Sequence, residues 1–315
     1  MNRPFGVRSL RIGSRGSPLA LVQSALVRDA LRARYPGVEV TILPITTRGD
    51  LWQDRSIAEL GEEGVFVTAI EEALREGRID IAVHSAKDLP TRLPDDLRIA
   101  ACLPRADARD VLVSRGGTLQ SLPPASRVGT SSPSRRAQLL AARPDLSVAE
   151  IRGNVDTRLR KLAAGEYDAL VLAGAGLIRL GREDAATEWL SLDVMIPAPG
   201  QGVLAIQVRA SDHGVGEAVA PLDDAPSTRA LAAERAFLAA TGAGCTGVVG
   251  AFACEDEATV ELTGLVATGD GALVRGRRTG PLATAATLGH ELAMDLLGGT
   301  VRAIVLPPAG RNAPG

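Results

Sequence analysis

Cysteine is scarce, with three residues in a chain of 315, at positions 102, 245 and 254. An odd number without a CxxC spacing excludes a disulfide framework, offers no structural zinc site and fits a reducing compartment. The three histidines are scattered, and no metal is expected. Aromatic side chains make up only 3%, which leaves few platforms for stacking single-stranded bases. Neither sign of charge dominates: 35 basic and 37 acidic residues give a formal net charge of -2. That balance argues against a chain-wide nucleic-acid or membrane-surface role and says nothing of local patches. No apolar run approaches the roughly 18 residues of a spanning helix. The opening MNRPFGVRSLRIGSRG has no apolar stretch of the secretory kind. A cytoplasmic chain with no nucleic-acid and no membrane partner is expected.

What is present is a chain 45% hydrophobic, long enough at roughly 100–200 residues per domain for two or three domains with cores of their own. Over the first two thirds, short β-branched runs alternate with helical stretches. Strands are expected at Leu10–Gly13, Val38–Ile45, Ile79–His84, Ile99–Cys102, Asp110–Val113, Val148–Ile151, Ala169–Leu172 and Val203–Arg209. Helices are expected at Pro18–Arg34, Phe66–Glu76, Ser134–Ala142, Val155–Ala164 and Ala175–Leu180. The alternation implies an α/β protein of βαβ units with largely parallel sheets. From about Thr228 the style changes to a helix, a Gly-flanked loop at 242–247, strands at Val248–Ala253, Val260–Val266 and Leu273–Thr279, and a helix at Leu282–Leu297. This reads as a small α+β module, and the final PPAGRNAPG as a frayed tail.

Three βα junctions carry helix-start chemistry: Ser14-Arg-Gly-Ser-Pro18, Gly129-Thr-Ser-Ser-Pro-Ser134 and Arg152-Gly-Asn154. Each combines a capping side chain, exposed backbone N–H groups and a nearby arginine, the makings of an anion site. The segment Asp80–Pro90 ends an apolar strand at His84 and places Ser85, Lys87 and Asp88 at its carboxyl end, where ligands of open α/β sheets sit. A solvated turn with a Lys–Asp surface pair fits the same pattern. In the middle of the chain Arg127, Arg135, Arg136, Arg143, Arg152, Arg158, Arg160, Lys161 and Arg179 occur with few acids between them. Guanidinium forks match carboxylates in bidentate fashion. Any one of these arginines also fits an ordinary solvated helix face. Cations at helix N-termini are repelled by the dipole unless an anion compensates. Cys245, in Gly242-Ala-Gly-Cys-Thr-Gly247, has the open loop context of a modified thiol, although a plain loop cysteine fits too. Cys254, in an apolar strand, reads as a small buried hydrophobe. Gly61-Glu-Glu-Gly64 reads as a lid or as a helix entry, and His84 as a hydrogen-bonded structural residue rather than a base.

Taken together, these segments resemble the porphobilinogen deaminase (hydroxymethylbilane synthase) family. The matching stretches, in family order, are RIGSRGSPLALVQ (11–23), TRGD (47–50), GVFV (64–67), DIAVHSAKDLPT (80–91), VGTSS (128–132), RGNVDTRL (152–159), GEYDALVLAGAGLIRLG (165–181), PAPGQG (197–202), AERAF (233–237) and GAGC (242–245). Their joint order and spacing make the resemblance specific over nearly the whole chain.

The resemblance implies two periplasmic-binding-protein-like βαβ lobes with an active cleft between them, plus a small α+β C-terminal domain. The expected domains are residues 1–104 with 204–224, residues 105–203, and residues 225–315. It implies a transferase of tetrapyrrole biosynthesis that condenses four porphobilinogen molecules, with loss of ammonia, on a dipyrromethane primer attached covalently to Cys245. The pyrroles bear acetate and propionate groups, so arginines and helix N-termini would neutralise the growing chain, and a carboxylate would stabilise positive charge passing through pyrrole nitrogens. Carried over residue by residue, that carboxylate is Asp88. Cofactor contacts fall to Ser85, Lys87, Asp88, Thr130, Ser132, Arg135, Arg152 and Arg158. Substrate contacts fall to Arg15, Ser17, Arg179, Gln23, Gln201 and Arg136. A monomer acting on a small molecule is expected.

This sequence departs from the family pattern twice. One residue extra precedes the Arg-Arg pair in Gly-Thr-Ser-Ser-Pro-Ser-Arg135-Arg136, so Ser134 takes the first arginine's place. Arg136 is thereby turned by about 100° on a helix. Glu59 and Glu63 stand where many relatives carry lysine, which leaves a direct contact from that loop to substrate carboxylates open. Two rival readings stand beside the enzyme: a non-catalytic bilobal module that binds or senses small anions, and a transferase of another class with Cys245 as nucleophile.

Overall fold

The computed structural model describes residues 9–47, 67–243, 247–268, 271–299 and 304–306. In chain order its elements are β1 (Ser9–Arg15), α1 (Pro18–Arg34), β2 (Glu39–Ile45), α2 (Thr68–Arg75), β3 (Ile81–Ser85), β4 (Leu97–Leu103), β5 (Asp110–Ser114), β6 (Arg127–Gly129), α3 (Pro133–Ala142), β7 (Ser147–Ala149), α4 (Val155–Ala163), β8 (Ala169–Ala173), α5 (Gly174–Arg179), β9 (Glu188–Trp189), β10 (Leu204–Arg209), α6 (His213–Val219), α7 (Ala225–Thr241), β11 (Val249–Asp256), β12 (Thr259–Ala267), β13 (Leu273–Pro281), α8 (Ala285–Gly298) and β14 (Ile304–Leu306). The chain divides into two compact units, Met1–Ala106 with Gly202–Thr228, and Asp107–Gln201 with Arg229–Gly315. Among the described residues no helix is long and apolar enough to cross a membrane.

The first unit holds a five-stranded sheet in the order β2-β1-β3-β10-β4. β1 lies parallel to β2 and β3, while β10 is antiparallel to both β3 and β4. Both faces are covered, so β3 reads as an unbroken apolar run, Ile81-Ala-Val83. On one face Leu10, Ile12, Val83 and Ile206 pack with Val27 and Leu31 of α1. On the other, Ile79 and Ala82 pack with Ile70, Ala73 and Leu74 of α2.

The second unit repeats the plan. Its five-stranded sheet runs β7-β6-β8-β5-β9, with β6 parallel to β7 and β8, and β5 antiparallel to β8 and β9. Leu112, Val128 and Leu139 of α3 fill one side, and Val111, Val113, Leu170, Leu172 and Leu162 of α4 the other. The same unit carries an antiparallel sheet, β11-β12-β13-β14. Phe237 of α7 and Leu292 of α8 pack on that sheet with Leu262. A buried carboxylate ties this module to the turn before residue 201: Glu234 accepts from the Gly200 N–H at 2.6 Å and from the Ala253 N–H at 2.7 Å.

The α/β class with βαβ units and a small C-terminal module is as the sequence implies. The sheets are mixed rather than largely parallel, because β10 and β5 each enter antiparallel between strands that share one direction. The short strand β6, the two-residue β9, helix α6 and β14 are additions to the sequence-based expectation, and Cys254, expected to be buried, is exposed on β11 because it falls on the face opposite to the buried Ala251 and Ala253. β6 is only three residues long and polar at its start, too short for a period to register. The loop at 61–64, the positions of Glu59 and Glu63, and the tail after 306 lie outside the described residues.

Candidate active site

In the first five-stranded sheet the chain leaves β1 toward β2 and later crosses to β3, and in the second it leaves β6 toward β7 and later crosses to β8. The carboxyl ends of β1 and β3, and of β6 and β8, therefore flank the points where ligands of such sheets bind. At the first of these, Arg15, Ser17, Leu19, Ala20, Gln23, Val67, Ile70, Val83, His84, Ser85 and Asp88 line one pocket. The helix start that shapes it follows the sequence expectation: Ser17 caps α1, accepting from the Ala20 N–H at 3.3 Å, and Pro18 is the first helical residue. Gln23, buried one turn further on, donates from Nε2 to Ser85 Oγ at 2.8 Å. Asp88 ends a single turn of 3-10 helix, Ala86–Asp88, and is exposed at the pocket. The Ala86 N–H bonds to Val203 O at 3.0 Å, which ties that turn to the strand-β10 side of the sheet.

His84 lies below, buried, with Nε2 3.0 Å from Gln207 Oε1. Gln207 donates in turn to Glu71 Oε1 at 2.9 Å. Burial pulls the imidazole from its usual 6.5 down to about 4, the Gln207 hydrogen bond opposing only in part. The unfolded chain therefore binds a proton that the folded protein refuses between those two values. Stability is fully present above pH 6.5 and falls as pH drops toward about 4, by about 3 kcal/mol from this residue. Urea unfolding of the wild type and of His84→Gln at several pH values checks this. The variant should lose that part of the acid sensitivity.

The second switch point is cationic. Thr130 is buried and its Oγ1 accepts from the Ser132 N–H at 3.2 Å. Ser132 caps α3, accepting from the Arg135 N–H at 3.3 Å, ahead of Pro133. Asn154 caps α4 through the Thr157 N–H at 2.9 Å. The turn before it needs Gly153, whose φ of +110° few L side chains adopt and whose added Cβ would lie 2.6 Å from Thr157 Cγ2. That backbone presents Gly153 O to Arg158 Nε at 2.9 Å. Burial, then the charges of Arg135 and Arg152, pull the Arg158 guanidinium down to about 10. Burial alone brings Arg179 to about 10 as well. Arg152 is held by Glu150 at 2.7 Å. Three guanidinium groups thus crowd a partly dried site, where a polyanion would relieve their mutual repulsion.

The arginines rich in this stretch of sequence sort into distinct roles. Arg135 makes a bidentate pair with Asp110, Nε to Oδ2 at 3.0 Å and Nη2 to Oδ1 at 2.8 Å, and also reaches Val171 O and Gln201 Oε1. Gln201 is fully buried, and its Nε2 donates to Ala108 O at 2.7 Å and Asp110 Oδ1 at 2.6 Å. The anion that compensates Arg135 at the start of α3 is therefore the protein's own Asp110, which the sequence reading did not single out. Its only signal is a charged residue opening the apolar run Val111-Leu-Val113, where burial demands a partner. One position on, Arg136 is exposed and donates to Val148 O on β7, away from Arg135's partners. Ser134, in the displaced place, is buried against Gln138 at 3.3 Å. Arg143 holds the carbonyls of Leu119 and Leu122, and Arg127 stacks on Tyr167.

Ser85, Asp88, Arg15, Ser17 and Gln23 thus share the pocket of the first unit, and Lys87 sits half-buried in the same turn as Asp88. Thr130, Ser132, Arg135, Arg152, Arg158, Arg179, Arg136 and Gln201 fall in the second unit. Cys245 lies outside the described residues. Sequence reasoning missed the apolar walls Leu19, Ala20, Val67 and Ile70, which look like ordinary helix-core positions, and the Gln207–Glu71 pair beneath His84.

Comparison with known proteins identifies the family. The family model described as porphobilinogen deaminase, dipyromethane cofactor binding domain, matches residues 10–217, and that of the porphobilinogen deaminase C-terminal domain matches residues 228–298. Porphobilinogen deaminase of Roseiflexus castenholzii (strain DSM 13941 / HLO8) is 54% identical over 290 residues, 92% of this chain and 96% of that one. The same-named protein of Roseiflexus sp. (strain RS-1) is 52% identical over 299 residues, 95% of this chain and 99% of that one. Among solved structures, a TRAP periplasmic solute binding protein from Desulfovibrio salexigens DSM2638 aligns with 68% of this chain and 72% of its own, at 12% identity and a TM-score of 0.42. With both family models and relatives matched along nearly their whole length, this chain belongs to the porphobilinogen deaminase family.

Proposed function

We propose that this chain condenses four porphobilinogen molecules head to tail, with loss of ammonia, on a dipyrromethane primer attached to Cys245, and releases hydroxymethylbilane by hydrolysis. The observation that carries the reading is the cation cluster at the starts of α3 and α4. Arg158, drawn down to about 10 beside Arg135 and Arg152, is a charge held at a cost that pyrrole acetates and propionates would remove. The same cluster supports the fit of the primer's carboxylates. Thr130, Ser132, Arg152 and Arg158 would hold its carboxylates in the second unit, with Ser85 and Lys87 doing so in the first. When bound, the dipyrromethane supplies the pyrrole carbon that is extended.

Asp88 is the catalytic carboxylate. Standing at the pocket on a turn anchored by Val203 O, it offsets the positive charge that develops as ammonia leaves and receives protons from pyrrole N–H groups. Arg15, Ser17 and Gln23 orient the incoming substrate at the start of α1, and Arg179 contributes charge from α5. Arg135 and Gln201, whose hydrogen bonds run to Asp110, Val171 and Ala108, shape the site through that buried network. The reading also has residues 225–315 as the domain carrying Cys245, and the protein as a cytoplasmic monomer acting on a small molecule. The near-neutral charge and the few unpaired-spacing cysteines support that.

Incubation with porphobilinogen should release ammonia and, after chemical ring closure, give uroporphyrin. Intact mass should show two linked pyrrole units on Cys245, absent in Cys245→Ser. A bare chain that binds carboxylates without releasing ammonia would instead favour the sensing module. Arg158→Leu should slow the addition cycles at least tenfold more than Arg136→Leu, since only the first stands in the repelling cluster. The ligand-free Arg158→Leu protein should also melt no lower than wild type, because a desolvated cation has been removed. Single-turnover kinetics and thermal melts check both expectations, and equal slowing by the two variants would remove the distinction.

A further inference from the structure

The polar chain beneath the first pocket joins three elements: Glu71 on α2, Gln207 on β10 and His84 on β3. All three side chains are buried, at 6%, 0% and 5% exposure. Its direction is set by chemistry. The Gln207 amide nitrogen donates to Glu71 Oε1 at 2.9 Å. The Gln207 oxygen then faces His84, and the atom 3.0 Å away, Nε2, must carry the hydrogen. Nδ1 is left as the unprotonated ring nitrogen.

We infer that Gln207 is a positioning residue, which fixes Nε2 as the hydrogen-bearing nitrogen of His84 in the floor of the pocket and, being uncharged where a carboxylate would draw a proton onto the ring, adds no imidazolium to compete for the carboxylate of Asp88. His84 and Asp88 line the same pocket. A cation generated there would attract the carboxylate that the reaction needs negative and unshared. A glutamine suits this role because it relays a hydrogen bond between Glu71 and the ring without adding charge. A carboxylate at 207 would instead draw a proton onto the ring. The charged groups on the elements around β3 include Glu72, exposed on α2, and Glu76 at its end, paired with Arg78. Arg75 on α2 pairs with Asp96 and lies 3.9 Å from Glu71. On β10, Arg209 donates to the Leu74 and Ile79 carbonyls and to Asp212. β1 brings Arg11, paired with Asp80, and Arg15 at the pocket. On α1, Arg28 pairs with Asp29 and Arg32 reaches Val40 O, while Lys87 and Asp88 follow β3 itself. Among the described residues, no carboxylate bonds to the imidazole, whose ring partner is Gln207. The desolvated ring accordingly stays neutral down to about pH 4.

The effect on turnover rests on the deaminase reading, whereas the tautomer does not, so the two can fail separately. Nitrogen-15 NMR of the histidine-labelled full chain, assigned with His84→Gln, reads the tautomer directly. The wild type should show a protonated Nε2, an unprotonated Nδ1 and no titration of His84 between about pH 5 and pH 9. Gln207→Glu should bring a His84 titration into that range. Its kcat should fall about tenfold below that titration and recover above it, with KM little changed. An Nδ1–H tautomer, or a His84 titration near neutrality in the wild type, would overturn the inference even if no variant folds. If Gln207→Glu titrates yet its kcat profile superimposes on that of the wild type, the tautomer stands and its functional role is refuted.

Discussion

Replacement of Asp88 by alanine should lower kcat by roughly 10²–10³-fold, the range for removing one preorganised electrostatic group. The position makes this a clean experiment. Asp88 is exposed at the pocket, on a three-residue turn whose backbone is held without its side chain, by Ala86 N–H to Val203 O and Leu89 N–H to Ala86 O. No core packing is lost, and the melting temperature should stay near that of the wild type. KM should change little, because substrate carboxylates are met by cations rather than by Asp88. Asn in the same place keeps a polar group of equal size without charge. It should be nearly as slow as alanine if charge stabilisation is the role, and much faster if the residue only accepts a hydrogen bond. Steady-state kinetics on the three proteins, with ammonia release as the readout, decides. An alanine variant within a few-fold of wild type would remove Asp88 from the mechanism.

The contrast between Asp88 and Asp110 shows what a sequence makes legible. Asp88 follows an apolar strand and precedes a proline, a local pattern that marks a strand end in an α/β sheet. The three capped βα junctions are local in the same way: Ser17, Ser132 and Asn154 each bond an amide three residues on, so a window of a few residues contains both partners. Helix α1 accordingly falls at Pro18–Arg34 as expected. The interior networks have no such window. Gln201 reaches back 91 residues to Asp110, and Gln207 reaches back 136 to Glu71. Nothing near either glutamine announces its partner. The insertion of β10 between β3 and β4 is equally nonlocal, since the chain leaves the first unit and returns before that strand forms. The arginines meet the same limit. Their positions in the sequence mark a cationic stretch, but only packing separates Arg158, which neighbours other cations, from Arg135, which already has its carboxylate.

The buried carboxylate of Asp110 should be costly to remove. Asp110 is 1% exposed and meets Arg135 through two bonds, with Gln201 completing its coordination. Breaking a buried pair by deleting one partner typically costs 3–5 kcal/mol, because the other charge is stranded, so Asp110→Ala should lose about that much stability. Removing both charges strands neither. Asp110→Ala with Arg135→Met should therefore recover a large part of the loss, and the coupling from a double-mutant cycle should exceed about 2 kcal/mol. Urea unfolding followed by circular dichroism supplies the four stabilities. Function should not follow the same order. The double variant loses the guanidinium that, with Arg152, crowds Arg158, so its addition cycles should stay slow after its stability has returned. If recovered stability instead brought full turnover, the pair would be a packing device alone, and the anion site would rest on Arg152 and Arg158. If the single variant lost less than about 1 kcal/mol, water or Gln201 would have to be satisfying Arg135 by itself, and the carboxylate would have no hold on the geometry of that cluster.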